Sequence, residues 1–313
     1  MTVVLLVLAF IYPFAVSPYI LSLGIEVLIF AIFAMSLDLL MGYTGLPSFG
    51  HAAFLGVGSY ILAYITSTSD LAIGLTDNIL VSLPMVVLGT GMIALLIGLL
   101  ALRTTGIYFL MITLAFAQML FSIAIHWSRV TGGSDGMTGV QRPSLGIGTW
   151  EYSFDTRSSF YFLVLLLFIL VWCMLRMIVR SPFGLTLRGI RTNEHRMRAL
   201  GYNTFYYKIT AFVLAGMLAG LSGMLLAQFF WHASPHNLFW SMSGQAVIMV
   251  LVGGAGTLTG PVIGAAVMRL LPHFASTYTE RWQTLMGIVL ILFVVFSPSG
   301  IIGILGGRRK DSL

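Results

Sequence analysis

Residues 181–201 read SPFGLTLRGIRTNEHRMRALG, the one long polar and basic stretch in a chain that is otherwise mostly apolar. It carries Arg188, Arg191, Arg196 and Arg198 against a single acid, Glu194, with Arg176 and Arg180 leading into it and Lys208 following. A loop this basic between apolar segments is expected on the cytoplasmic side of a membrane, because Lys and Arg in short loops set orientation. It also has the marks of a folded element. Ser181-Pro182 starts it with a rigid turn. Asn193 suits an N-cap, Glu194 the first turn of a helix, and Gly201 the position just past a helix end. A short cytoplasmic helix between two spans is a handle on which another protein can push. A plain topology anchor is the alternative that charge alone leaves open.

The 313 residues are 58% apolar and only 8% charged, against roughly 25% charged in soluble domains. A soluble core of this size has no room for so much apolar side chain. A single all-α polytopic membrane domain over residues 1–313 is therefore expected. One cysteine, Cys173, excludes a disulfide within the chain. Seven of the sixteen basic residues fall between Arg176 and Lys208, so the net charge of +6 reads as orientation in a bilayer, not as nucleic-acid binding. The first seventeen residues are apolar and lack Lys or Arg, which favours a first span over a cleavable signal peptide.

A span needs about 20 apolar residues. Segments that qualify are residues 2–21, 22–41, 49–66, 79–101, 105–126, 159–180, 206–230 and 283–304. Residues 244–271 form a ninth apolar region with a break in its middle, so eight to ten helices are expected. With the loop 181–205 inside, six preceding spans put the N-terminus inside, Arg103 inside and the loop 127–158 outside. That outer loop is balanced, with Arg129, Arg142 and Arg157 against Asp135, Glu151 and Asp155. Its opening, Thr131 to Gly139, reads as a rigid, turn-rich lip.

Arg308, Arg309 and Lys310 belong inside. They end there only if 244–271 crosses twice or re-enters, and Gly253-Gly254-Ala255-Gly256-Thr257-Leu258-Thr259-Gly260-Pro261 offers the turning point. Arms of about eleven residues, or ~16 Å of helix, are too short for a full crossing. The expectation is two short helices with a non-helical tip, covered by protein or lining a cavity; a single long span bent at Pro261 is the competing form.

No GxxxxGK[ST] occurs, so the chain is not expected to bind or hydrolyse ATP. There is no HExxH, no GxSxG and no Cys/His context for a nucleophile, and His232 with His236 is the lone i, i+4 histidine pair. Neither a metal site nor a membrane enzyme is expected. Gly56-Val57-Gly58, Gly216-x-x-x-Gly220 and Gly260-x-x-x-Gly264 suit close helix packing. Glu26 and Asp38 share one apolar segment, but their helical angle is too poor for one shared site; Asp38 suits a cap or a snorkelling end, Glu26 the opposite end. Gly50, His51, Gln118, Gln245, Gly253, Gly254 and Gly256 are the candidates for a translocation path.

Several short runs then line up in order. They are Gly42-Tyr43-Thr44-Gly45 with Gly50-His51-Ala52-Ala53-Phe54, Arg103 to Phe109 continuing to Thr113-Leu114-Ala115, and Thr131 to Gly139. Ser181-Pro182-Phe183-Gly184 to Gly201, Gly253 to Thr257, and Pro298-Ser299-Gly300 follow. Over nearly its whole length the chain resembles the branched-chain amino acid permeases of the ABC importers, in the hydrophobic amino acid uptake branch and of the LivM type. Glu194, Ala199 and Gly201 resemble the coupling motif of such permeases, whose short helix sits in a groove on an ATPase subunit.

The resemblance implies a bacterial inner-membrane permease with both termini cytoplasmic. It implies a second permease of the LivH type, two ATPase subunits of the LivG and LivF type, and a periplasmic binding protein. ATP and Mg would sit on the ATPases, with no cofactor on this chain. Arg188, Arg191, Glu194, Arg196, Arg198, Ala199 and Gly201 would form the coupling element. Branched-chain or other apolar amino acids lead as cargo, with urea, short amides and small carboxylates as alternatives. The rival function is a stand-alone carrier or channel driven by an ion gradient, to which broken helices and Glu26 are suited.

Overall fold

The structure, a computed structural model, describes residues 10, 12–14, 16–69, 71–147, 150–278, 281, 284, 287–288 and 300–305. Half of the expected segment 2–21 and most of 283–304 fall outside these residues, and the tail at 308–310 wholly so.

The central element is α1, Pro18–Asp38, continued by a π-helical turn at Leu39–Thr44 and ended by Gly45 in the left-handed region (φ 75°). Pro18 opens it because a proline at the first helical position lacks only a hydrogen bond that no residue there could make. The expected boundary between residues 21 and 22 is therefore corrected, since one continuous helix runs through it. Every residue from Ile29 to Leu40 is buried. A helix apolar on all sides belongs in the middle of a bundle, and α1 packs against four other helices, introduced below as α6, α9, α10 and α11.

Around it stand α2 (His51–Thr66), α3 (Ile79–Ala101), α4 (Ile107–His126), α6 (Arg157–Arg180) and α9 (Thr204–Phe230). Among the described residues, five helices are long and apolar enough to cross a membrane: Pro18–Thr44, α3, α4, α6 and α9. Their ends follow local chemistry. Asn78 Oδ1 accepts from Leu80 N at the start of α3, and Thr156 Oγ1 from Ser159 N at the start of α6. The helices close up where side chains vanish. A β-carbon on Gly58 would meet the backbone of Gly220, one on Gly216 the Ala94 methyl, and one on Gly223 the Leu55 carbonyl. The outer faces of α3, α4 and α6 stay apolar and exposed, at Leu88, Leu96, Met111, Leu166 and Leu170 among others.

At one end, called here the far end, α5 (Ser128–Thr131) leads into glycines 132, 133, 136 and 139, all with positive φ. This is the turn-rich lip that the sequence implies. Strand β1 (Met137–Thr138) pairs antiparallel with β4 (His232–Ala233), and β2 (Ser144–Ile147) with β3 (Trp150–Ser153). Arg142 is buried between the Phe160 and Trp231 rings and donates to the Asp155 carbonyl, so this charge holds loops together.

At the opposite, basic end lie α7 (Pro182–Thr192) and α8 (Glu194–Ala199). The broken region is a hairpin of α10 (Trp240–Gly253) and α11 (Thr259–Tyr278), followed by α12 (Gly300–Leu305). The break is where the glycines predict it, but the arms are longer than eleven residues. They have 14 and 20 residues. Trp240 to Ser243 extend the first arm, and the second runs through Arg269 and Pro272, because Arg269 finds an acid on α1. The arms interlock: a β-carbon on Gly264 would strike the Met249 carbonyl, and one on Gly253 the Gly260 carbonyl.

Candidate functional site

The basic end is built from two caps in series. Ser181 Oγ accepts from Gly184 N at the start of α7, and Pro182 takes the first helical position. Asn193 Oδ1 accepts from Arg196 N at 2.9 Å and starts α8. Leu200 follows α8, and Gly201 takes φ +89° just past it. The sequence marks α8 and its two ends; ahead of it, where only a rigid turn at Ser181-Pro182 is expected, the chain forms the helix α7.

Glu194 turns inward. Its Oε1 accepts from Arg198 Nη2 at 2.6 Å and from Thr204 Oγ1 at 3.0 Å, and its Oε2 from Lys208 Nζ at 2.5 Å. The Lys208 side chain is 7% exposed, so this pair ties α8 to the first turns of α9. Burial by itself would raise the Glu194 carboxyl. The hydrogen bonds from Lys208 and Arg198 and the Lys208 charge outweigh it and hold the group below the usual range.

The arginines divide by partner. Arg191 Nη1 donates to the Gly42 carbonyl, and its stem lies against Gly45. Arg188 stands over the Tyr43 ring at 5.2 Å. Arg198 is held by Glu194, while the Arg196 side chain makes no hydrogen bond or ion pair with the described residues. Ala199 is exposed, and Leu185 and Leu200 beside the arginines are more than half exposed. The outward surface is thus apolar spots set among cations.

Directly beneath Arg191 lies the tip of the hairpin. Asp38, fully buried near the end of α1, accepts from Gly256 N at 2.7 Å and Leu258 N at 3.3 Å. Leu258 has φ 57°, unusual for a side chain with a β-carbon. It is the residue before α11, so the carboxylate caps the positive end of that helix. Gly254 has φ 114°, a β-carbon on Gly300 would meet Gly254 N, and one on Gly42 would meet Gly256 N. Gly253, Gly254 and Gly256 therefore pack backbone to backbone at the basic end, with Asp38, Gly42, Arg191 and Gly300 around them. Of the two expectations for Asp38, a cap or a snorkelling end, the structure has the cap, and the helix it caps is more than two hundred residues away.

Gly50, His51 and Gln245 lie elsewhere, near the starts of two short helices, while Gln118 stands on α4 past Thr113. Helix α2 begins inside the bundle, where His51 Nε2 lies 2.7 Å from Ser36 Oγ and its ring stacks on Phe33. Ala52 N is capped by Ser243 Oγ of α10 at 2.8 Å. The 3-10 turn Pro235–Leu238 that feeds α10 packs against α2 at Gly56. Helix α2 runs from this junction to the far end, and α10 runs from it to the basic end. Gly50 lies against the Thr113 backbone of α4. His51 is fully buried in this conformation, and Gln118 and Gln245 are half-buried, with no side-chain hydrogen bond to the described residues. Ser36, Thr113 and Ser243 are the partners that only folding brings here.

The model of the branched-chain amino acid transport system / permease component family matches residues 19–295. The chain is 26% identical to the high-affinity branched-chain amino acid transport system permease protein LivM of Escherichia coli, over 96% of this chain and 74% of that one. It is 23% identical to a probable LivM of Methanocaldococcus jannaschii, over 88% and 90%. The permease protein LivH of Escherichia coli is 26% identical, over 88% and 91%. No solved structure matches the chain.

Proposed function

We propose, from the premise that this chain belongs to the branched-chain amino acid transport permease family, that it is one permease subunit of an ATP-driven importer. It forms half of a path for branched-chain or related hydrophobic amino acids. The chain sits in a bacterial inner membrane with the basic end and both termini in the cytoplasm. Its partners are a second permease of the LivH type, two ATPases that carry the ATP and Mg, and a periplasmic binding protein. That protein meets the far end, where a hydroxyl-rich cleft of about 670 Å³ runs from Thr66 to Asp77.

The observation that carries this reading is the wiring at the basic end. Helix α7 holds Gly42 through Arg191, and Asp38, one turn earlier on α1, holds the hairpin tip. A push on α7 and α8 therefore reaches α1, α10 and α11 through polar contacts that do not stretch. Arg196, Ala199, Leu185 and Leu200 offer the push its surface. Arg188, Arg191 and Glu194 act from behind, fixing the shape of that surface. For the path, the reading favours the junction of α2 and α10. The positive ends of two short helices suit a carboxylate passing between them, with Gln118 and Gln245 free to hydrogen-bond it.

The test is reconstitution in proteoliposomes. ATP-driven leucine uptake is expected from the chain with its second permease, both ATPases and the receptor, and none from the chain alone. Uptake by the chain alone under a proton or sodium gradient would replace this reading with a secondary carrier. Gly201→Val sharpens it. No atom lies within 4 Å of where the new β-carbon would go, so the change acts through backbone strain, about 1–2 kcal/mol at that positive φ. ATP hydrolysis is expected to continue while uptake falls. Survival of both would remove Gly201 from the coupling element.

A further inference from the structure

Glu26 and Arg269 meet on the seam between α1 and α11, Oε1 to Nη1 at 3.1 Å. They stand roughly two turns into α1 and roughly three turns into α11, hence ~12–15 Å from the helix starts, at hydrocarbon depth. A charge there needs a partner, a cavity or other protein around it. The pairing is incomplete. One nitrogen meets one oxygen, whereas Arg and carboxylate frequently pair through two parallel bonds. Arg269 Nε and Nη2 are buried with no hydrogen-bond partner among the described residues. The guanidinium lies on the Phe30 ring, 3.3 Å from its centroid, which fixes its plane. Each side chain keeps 20% of its surface exposed, so the pair is not sealed.

The same seam is polar above and below. Tyr19 Oη and His273 Nδ1 lie 2.6 Å apart, one turn of α11 beyond Arg269. At the other end Asp38 holds the tip through Gly256 N.

We propose that the Glu26–Arg269 pair is a transient binding site for the zwitterionic head of an α-amino acid, with the guanidinium taking the carboxylate and Glu26 the ammonium. This rests on the amino-acid reading above and adds a station to it. A simple anion meets Glu26, a simple cation meets Arg269, and an apolar neutral solute gives nothing back for opening the pair. A ligand with both signs a few ångströms apart replaces one ion pair by two and uses the idle nitrogens.

The test uses the full complex in proteoliposomes with leucine as the probe. Glu26→Gln and Arg269→Gln are each expected to cut uptake at low leucine by at least about tenfold, the scale of a lost charged hydrogen bond. The double variant Glu26→Leu/Arg269→Met separates a site from a staple, because replacing both members of a buried pair by apolar residues of similar volume is often harmless to folding. It is expected to assemble normally and still not transport. Normal uptake by the double variant, or its failure to assemble, assigns the pair to structure and overturns the proposal. A wild-type complex that moves no leucine overturns the amino-acid reading itself. Wild-type uptake with unaffected variants overturns only the site.

Discussion

Asp38 and Glu194 are two carboxylates on which the basic end depends, and they work differently. Among the described residues Asp38 accepts from the backbone N–H groups of Gly256 and Leu258 and from no side chain. Asp38→Asn keeps one acceptor but turns an amide N–H₂ toward another N–H. The expected loss is about 1–3 kcal/mol of stability, read as a lower melting temperature and faster proteolysis at residues 254–258. Glu194 instead answers Lys208, which is buried. Because its folded-state pKa lies below the ordinary 4.5, its contribution is full above that value and fades as pH falls through the depressed one. Wild type is therefore expected to melt above Glu194→Gln at neutral pH, and the gap to close in acid. A gap independent of pH would mean that the charge of Glu194 is not what holds α8 to α9. Sequence reading places both acids at helix ends, as it should. It does not show that Glu194, Arg191 and Arg188 look into their own chain, since an isolated pattern of charges carries no information about which way each one faces.

Helices α2 and α10 show how an element too short to cross by itself is stabilised. They have 16 and 14 residues; α2 starts within the bundle, while α10 starts at the exposed Trp240 and Ser241 and is buried from Ser243. A buried helix start leaves N–H groups that need acceptors. Ser243 of α10 supplies one of these to Ala52 of α2. Ser243→Ala is expected to lower stability by about 1 kcal/mol, the usual worth of a cap, seen as a shift in thermal unfolding of the purified protein. Ser243→Thr, which keeps the hydroxyl, is expected to lose less. Equal losses in both would place the effect in packing and not in the cap. The hairpin arms make the complementary point. Pro272 and Arg269 look like the end of an apolar segment, yet α11 passes through both, since Glu26 and Phe30 receive the guanidinium.

For the whole molecule, the basic end and the far end lie at opposite ends of the long helices, so they label from opposite sides of a membrane. With Cys173 replaced by Ser, Arg196→Cys is expected to react with an impermeant maleimide only in inside-out vesicles, and Ser134→Cys only in right-side-out cells. Both residues are exposed. Labelling of both from one side would break the topology. Length, charge and glycine spacing alone determined a polytopic helical chain, the bounds of α3, α4, α6 and α9 to within about two residues, the capped α8 and the break near Gly254. These follow from local rules: apolar length, capping geometry and positive φ act within a few residues of one another. Only the tertiary structure decided that α1 starts at Pro18 and runs unbroken, that Asp38 closes the tip of a distant hairpin, that Arg191 joins α7 to α1, and that Glu26 finds Arg269. The last three are contacts between residues far apart in the chain. A buried charge chooses its partner by the geometry that packing creates, and that geometry is not written in any one stretch.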